Sequence, residues 1–204
     1  MRAEDVTAPG LAEPFPGVFR WAAFSPAHKV ELASHAVRLD GRLFVFDPIP
    51  LRDEDVRTLL VAAPVAALVL TNENHGRAAA AWRELTGAPV WAAPDAAVAL
   101  AEVRRLPLAA GGWEGWRLHD LTGGAGGEVA LRSPALDLVV AGDALVNLPG
   151  RGLEILPAKY GRDQAALRER LRRLASEPFG RLVMAHGDPL AADASTRIQA
   201  LAGR

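Results

Sequence analysis

The sequence has 204 residues, 50% of them hydrophobic, so the chain can bury a sizeable core in one or two domains. The formal net charge is -1 and the sequence pI about 6.5, which gives no overall field that favours nucleic acid or an anionic membrane. Because cysteine is absent, disulfides, thiolate metal ligands and a cysteine nucleophile are excluded, and the strong metal ligands left are histidine and carboxylates.

The N-terminal segment is polar and rich in small residues, and we expect about the first 12 residues to be loosely held. It has no apolar core of the kind found in signal peptides, and no later segment approaches the ~20 apolar residues of a membrane helix. We therefore predict a cytoplasmic protein with one domain over residues 1–204, acting on a small molecule rather than on nucleic acid or membrane.

The first half of the chain begins with strands and then alternates strands with helices. Strands are predicted at residues 18–21, 30–33, 35–39 and 42–46, and Asp40-Gly41 is typical of the tight turn between the last two. An acidic first turn indicates a helix over residues 52–60.

The most informative stretch covers residues 65–90. An apolar run at 65–70 is typical of a buried strand, and an Ala-rich segment at 77–85 favours a helix that ends at Gly87. Between them lies a polar loop with one histidine, His75. Since open α/β sheets bind ligands at the carboxyl ends of their strands, this loop is a candidate functional site.

The second half repeats this order after an irregular middle. A helix is predicted at 94–106, a loop-rich segment at 107–127, and a hairpin of strands at 129–133 and 136–140. An amphipathic helix at 163–175, a strand at 181–185 and a helix at 192–202 complete the chain.

The polar loop resembles the T-H-x-H-x-D-H motif of the metallo-β-lactamase superfamily, followed by a helix that ends near T-G-A-P-V. Thr71 matches the motif's threonine. Counting back from the end of the helix places His75 on the last histidine, Asn74 on the aspartate and Asn72 on the first histidine, in a loop two residues shorter than the family's. The resemblance runs from Asp47 to His186 in matching order, and it implies an α/β fold, a four-layer αββα sandwich.

An ungapped alignment of the same loop remains as an alternative. It places Asn72 and Asn74 on the first two histidines and leaves His75 without a role. We prefer the gapped alignment because the length of the helix then fits the family.

Three other regions of the resemblance carry ligand positions. Gly124 stands where the family has a histidine in a Gly-rich loop, Asp143 matches its bridging aspartate, and His186 matches its closing histidine. In the family, one metal site uses the first two histidines of the motif and the histidine of the Gly-rich loop, and these ligands are missing here. The resemblance implies only the family's other site, formed by His75, Asp143 and His186, with Asn74 as a weaker fourth donor.

Two histidines and one carboxylate can hold a single Zn²⁺, Fe²⁺ or Mn²⁺ ion with open positions for water. The resemblance thus implies a metal-dependent hydrolase with at most one ion, in which a water of lowered pKa attacks and Asp143 also orients it. The alternative is a metal-free, non-catalytic protein that keeps the fold for binding or a structural role, because fold does not fix function.

A few further residues have weaker claims to a role. The resemblance places Lys159 and Tyr160 where the family's substrate-facing residues often lie, although a surface role explains them equally well. It places His35 in the N-terminal region that often lines the family's pocket, although a structural role explains this residue better. His28 lies in the same N-terminal region, and His119 is five residues from Gly124. No phosphate-binding loop and no G-x-S-x-G elbow occurs, so nucleotide binding and serine catalysis are not supported.

Overall fold

The computed structural model describes residues 6–203 and contains two large sheets. The seven strands of the first sheet follow each other in chain order: β1 (Ala12–Phe15), β2 (Val18–Ser25), β3 (Val30–Leu39), β4 (Arg42–Phe46), β5 (Val65–Leu70), β6 (Val90–Ala92) and β7 (Arg104–Arg105). The pairs from β1 to β4 are antiparallel, and those from β4 to β7 are parallel. The carboxyl ends of β4 and β5 therefore lie side by side.

The second sheet is built from strands of the later half. Its members are β8 (Gly112–Trp113), β9 (Trp116–Asp120), β10 (Val129–Ser133), β11 (Leu138–Ala141) and β14 (Arg181–Met184), and a separate hairpin is formed by β12 (Leu145–Leu148) and β13 (Gly152–Ile155). The spatial order is β14-β11-β10-β9-β8, and β11 and β14 are parallel. Their carboxyl ends therefore point to the same edge.

Within residues 6–203, four helices cover the two sheets: α1 (Asp53–Ala62), α2 (Ala79–Thr86), α3 (Gln164–Leu174) and α4 (Ala194–Ala202). Trp82 of α2 stacks on Trp21 of β2, with ring centroids 5.4 Å apart. Leu167 and Leu171 of α3 pack in a buried cluster with Leu182 of β14. Among the described residues, each helix is too short or too polar to span a bilayer.

The side chains of β10 show how the two sheets meet. Val129 and Leu131 belong to the large core cluster that contains Phe44 and Phe46 of β4, whereas Ala130 between them belongs to the cluster under α3. This alternation follows from the two-residue period of a strand. The layers are helix, sheet, sheet and helix, so the predicted αββα sandwich is confirmed.

The prediction of a helix over residues 94–106 is wrong. The segment forms turns and the short strand β7, and Leu106 donates its backbone N–H to the carbonyl of Ala92. The Arg105 guanidinium donates to the carbonyls of Ala93 and Ala96, both at 3.1 Å. These contacts satisfy backbone groups that a helix would have paired internally, so tertiary contacts override the local helix propensity.

Other boundaries differ less from the predictions. The two strands predicted at 30–33 and 35–39 form one strand, and the segment predicted to be irregular contains β8 and β9. The hairpin of β12 and β13 was not predicted. Of the segment predicted to be loose, residues 1–5 lie outside the described residues, whereas Ala8 is buried and donates its backbone N–H to Pro50.

Candidate metal centre

Three chain segments bring His75, Asp143 and His186 to one edge of the sandwich. His75 lies in a single 3-10 turn, Glu73–Gly76, that follows β5, while Asp143 and His186 each follow the end of a strand, β11 and β14. Since β11 and β14 are parallel neighbours, their loops emerge together. Backbone hydrogen bonds from Val129 to Thr71 and from Ala33 to Ala185 join the two sheets at this edge.

The ligand atoms of the three side chains converge. Oδ1 of Asp143 lies 3.1 Å from Nε2 of His75 and 3.0 Å from Nε2 of His186, and all three atoms lie within 4.8 Å of one another. Despite these short distances, Oδ1 is a buried atom without a hydrogen-bond partner. Two imidazole nitrogens and an unpartnered carboxylate oxygen that face one point are a donor set suited to a divalent ion.

Both imidazoles are oriented by their other ring nitrogen. Nδ1 of His186 donates to the backbone carbonyl of Glu31 at 2.7 Å. Nδ1 of His75 lies 2.9 Å from Oγ1 of Thr71 and 2.9 Å from Oδ2 of Asp47. With Nδ1 protonated in each ring, loss of the Nε2 proton gives the neutral tautomer whose Nε2 lone pair a metal ion requires.

Asp47 and Thr71 lie close together because they follow β4 and β5, which are parallel neighbours. Oδ1 of Asp47 accepts the backbone N–H of Thr71 at 2.8 Å, and Oδ2 accepts its hydroxyl at 2.6 Å. Asp47 has a φ of 49°, a left-handed conformation that aspartate tolerates better than most residues. The turn after β4 thus aims a buried carboxylate at His75.

The carboxylates set the charge state of the centre. Burial alone would lower the pKa of His75, as would Arg77, but Asp143 and Asp47 raise it to about 9. Burial would likewise raise the pKa of Asp143, yet the imidazoles of His75 and His186 hold it well below its usual value. Asp143 is therefore ionised at neutral pH, as a metal-binding or proton-accepting carboxylate must be.

Asn72 and Glu128 form a buried polar pair beside Asp143. Nδ2 of Asn72 donates to Oε2 of Glu128 at 3.0 Å and to Oδ2 of Asp143 at 3.1 Å. Burial, and then the charge of Asp143, raise the pKa of Glu128 to about 8. Sequence reasoning missed Glu128; the available signal was a carboxylate at the end of a Gly-rich segment, directly before a buried strand.

Gly142 allows the loops to approach this closely. A Cβ at this position would lie 2.3 Å from Oγ1 of Thr71 and 2.6 Å from Oε1 of Glu128. Real Cβ atoms do not approach other atoms so closely, so a larger residue would push the Asp143 loop away from Thr71. The glycine before Asp143 is a requirement of the site's geometry.

The remaining predicted residues lie outside this cluster. Asn74 is exposed and donates its backbone N–H to the side chain of Asn72, while Lys159 and Tyr160 are exposed and contact each other. His35 is buried, with 2% of its surface exposed. The ligand role of Asn74 and the substrate roles of the other three stay predictions.

Neither of the other two histidines joins the cluster. His28 is exposed in the turn between β2 and β3, and His119 lies in β9, where burial lowers its pKa. A cavity of about 410 Å³ opens between α1 and α2, and one of about 120 Å³ borders Glu128. Neither cavity is lined by His75, Asp143 or His186.

One protein family, described as the metallo-beta-lactamase superfamily, matches residues 12–203. The chain belongs to this superfamily. A search of curated proteins gives no match. The predicted resemblance is confirmed, and a metal-dependent hydrolase is consistent with this membership.

Solved structures, among them metallo-beta-lactamases, share the fold. A metallo beta lactamase from Erythrobacter litoralis has 17% identity and a TM-score of 0.68, covering 100% of this chain and 94% of that chain. FIM-1 from Pseudomonas aeruginosa, in a mono-zinc form, has 13% identity and a TM-score of 0.73, covering 98% and 96%. TTHA1623, in a di-iron-bound form, has 24% identity and a TM-score of 0.62, covering 82% and 91%. At these identities the likeness establishes the fold alone.

Proposed function

We propose that this protein is a metal-dependent hydrolase that holds one divalent ion, Zn²⁺, Fe²⁺ or Mn²⁺, with His75, Asp143 and His186. The observation that carries the proposal is the unpartnered Oδ1 of Asp143 between two Nε2 atoms, at 3.0 and 3.1 Å. Zinc and iron both occur among the structural neighbours, in the mono-zinc FIM-1 and the di-iron TTHA1623.

An ion held by these residues supplies Lewis acidity, which lowers the pKa of water and polarises a carbonyl oxygen. Side chains and backbone groups of the protein orient the two imidazole rings and the water. Asp47 and Thr71 fix the His75 ring, and the carbonyl of Glu31 fixes the His186 ring. Asp143, kept ionised by the two imidazoles, accepts a hydrogen bond from the attacking water and so orients it.

The substrate class that fits this chemistry is a small ester, amide or thioester. Hydrolysis of these compounds needs an oriented water and a polarised carbonyl, and it needs no nucleophilic cysteine, which the sequence lacks. Two of the five histidines supply both nitrogen ligands.

The experiment measures metal content and hydrolysis in one preparation. Protein purified without chelators or a histidine tag is incubated with Zn²⁺, Fe²⁺ or Mn²⁺ and analysed by elemental mass spectrometry, which should give one ion per chain. A panel of small esters, amides and thioesters should then be hydrolysed by the wild type and not by His186→Ala. Equal hydrolysis by both proteins would refute the proposal.

A metal-free binding or structural protein is the second candidate. It is supported by the Asn72–Glu128 pair, which satisfies buried polar groups beside Asp143 without an ion. A wild-type protein that binds no ion after incubation with all three metals would favour this candidate.

A further inference from the structure

The amide of Asn72 lies between two carboxyl groups. Its Nδ2 is 3.0 Å from Oε2 of Glu128 and 3.1 Å from Oδ2 of Asp143, and an amide NH₂ has one hydrogen for each. Oδ1 of Asn72 accepts the backbone N–H of Asn74 at 2.9 Å, which fixes which end of the amide is the donor. Asn72 is fully buried, so water does not compete for these bonds.

Glu128 is anchored at both of its oxygens. While Oε2 accepts from Asn72, Oε1 accepts the backbone N–H of Ala144, the residue after Asp143, at 3.0 Å. The side chain is 2% exposed. Glu128 therefore links the loop after β5 to the loop after β11, and two carboxyl groups share one pair of amide hydrogens in a buried setting.

The space around Glu128 is closed on two sides by glycine. A Cβ on Gly124 would lie 2.8 Å from Cγ of Glu128, and a Cβ on Gly142 would lie 2.6 Å from its Oε1. A side chain as large as histidine therefore cannot extend from position 124 into this space while Glu128 fills it.

We infer that the Asn72 amide takes the place of a second cation, because its two hydrogens supply, between the carboxyl groups of Glu128 and Asp143, the positive partial charge that an ion would otherwise supply. The bridge has a second effect. By holding Oδ2 of Asp143, it keeps Oδ1 turned toward His75 and His186, so Asn72 and Glu128 are positioning residues for the proposed single-ion site. This second effect rests on the proposed function, whereas the exclusion of a further ion does not.

The test replaces the amide donor with an acceptor. In Asn72→Asp, a carboxylate would stand about 3 Å from oxygens of two other carboxyl groups, and their mutual repulsion favours a bound cation. Equilibrium dialysis against Zn²⁺, with elemental mass spectrometry, should find one more ion per chain than in the wild type. An unchanged ion count would overturn the inference.

A matched control adds the same charge away from the site. Gln199→Glu changes an exposed amide on α4, and its ion count should equal that of the wild type. A gain of one ion in this control as well would mean that added charge alone recruits the ion, which would also overturn the inference.

A third variant tests the positioning effect without adding charge. Asn72→Leu removes the donor at similar size, so Co²⁺ should bind ~10–100-fold more weakly and its visible absorption bands should shift. Circular dichroism of the same samples establishes that the variant is folded. Unchanged Co²⁺ affinity and spectrum in folded Asn72→Leu would refute the positioning role.

The design separates this inference from the proposed function. The proposed function depends on the absolute count in the wild type, which should be one ion. The inference depends on the difference between Asn72→Asp and the wild type, which should be one ion whatever the wild-type count is. A wild type that binds no metal would therefore refute the proposed function. The inference would still be tested by the difference in ion count between Asn72→Asp and the wild type.

Discussion

Oδ2 of Asp47 lies 2.9 Å from Nδ1 of His75, at the end of a strand that neighbours the one leading to the histidine. Burial opposes the charge on Asp47, but the charge of His75 and its hydrogen bond lower the pKa of the carboxyl group. A buried carboxylate on the far nitrogen of an imidazole fixes the ring and raises its basicity as a ligand. Asp47 therefore contributes to the site without facing the ion.

We expect Asp47→Asn to weaken Zn²⁺ binding by ~10–100-fold, because the neutral amide orients the His75 ring less strongly. Isothermal titration calorimetry with Zn²⁺ measures the change. Asp188→Asn is the control, since Asp188 is exposed and only two residues from His186. Equal affinities of Asp47→Asn and the wild type would contradict an orienting role for Asp47.

Replacement of either imidazole ligand should have a larger effect than replacement of Asp47. His75→Ala and His186→Ala each leave two protein ligands, which hold a divalent ion poorly, so binding of Zn²⁺ should be lost. His28→Ala and His119→Ala remove histidines outside the cluster and should retain one ion per chain. The number of ions bound per chain in the four purified variants tests these expectations. One ion per chain in His75→Ala would support the ungapped alignment, in which His75 has no ligand role.

The sequence predicted the sandwich because its strongest signals are local and periodic. The apolar strand at Val65–Leu70 and the amphipathic α3, whose N-cap Asp163 accepts from two backbone N–H groups, form as expected. The gapped alignment also placed His75, Asp143 and His186 together, although they are far apart in the chain. Asp143 and His186 follow the parallel neighbours β11 and β14, and the backbone hydrogen bond from Val129 to Thr71 joins the end of β5 to their sheet.

Other features depend on contacts that no local pattern reveals. Residues 94–106 have the composition of a helix, yet Leu106 pairs with Ala92 and Arg105 bonds to the carbonyl of Ala93. Glu128 became visible as a functional residue only through its distance to Asn72. The sequence shows a carboxylate at the end of a Gly-rich segment before an apolar strand, but it does not show the burial of Glu128 or its contact with Asn72.

The apolar face of α3 offers a test of the fold itself. Leu171 is fully buried against the second sheet, so Leu171→Ala should lower the free energy of unfolding by ~2–5 kcal/mol. Leu85→Ala is the matched control because Leu85 is exposed on α2. Urea denaturation followed by circular dichroism measures both, and similar midpoints for the two variants would show that Leu171 is not part of the core.

The last prediction concerns stability in acid and depends on His35. Burial, followed by the charge of Arg20, lowers the pKa of His35 from 6.5 to about 3, with Asp47 opposing and Arg77 adding to the effect. Between these values the unfolded chain binds a proton that the folded chain does not. Acidification therefore favours unfolding, and from pH 7 to pH 4 this residue alone costs about 3 kcal/mol of the free energy of unfolding.

We expect His35→Gln to remove this part of the pH dependence, because glutamine does not titrate. Urea denaturation at pH 7 and pH 4 should show a smaller loss of stability for the variant than for the wild type, while His28→Gln, at an exposed position, should follow the wild type. Glu128 acts in the opposite direction: its pKa is raised to about 8, so its contribution to the free energy of unfolding is lost as the pH rises. Because Glu128 is present in all three proteins, the comparison isolates His35, and equal losses in the wild type and His35→Gln would show that His35 is not a buried neutral histidine.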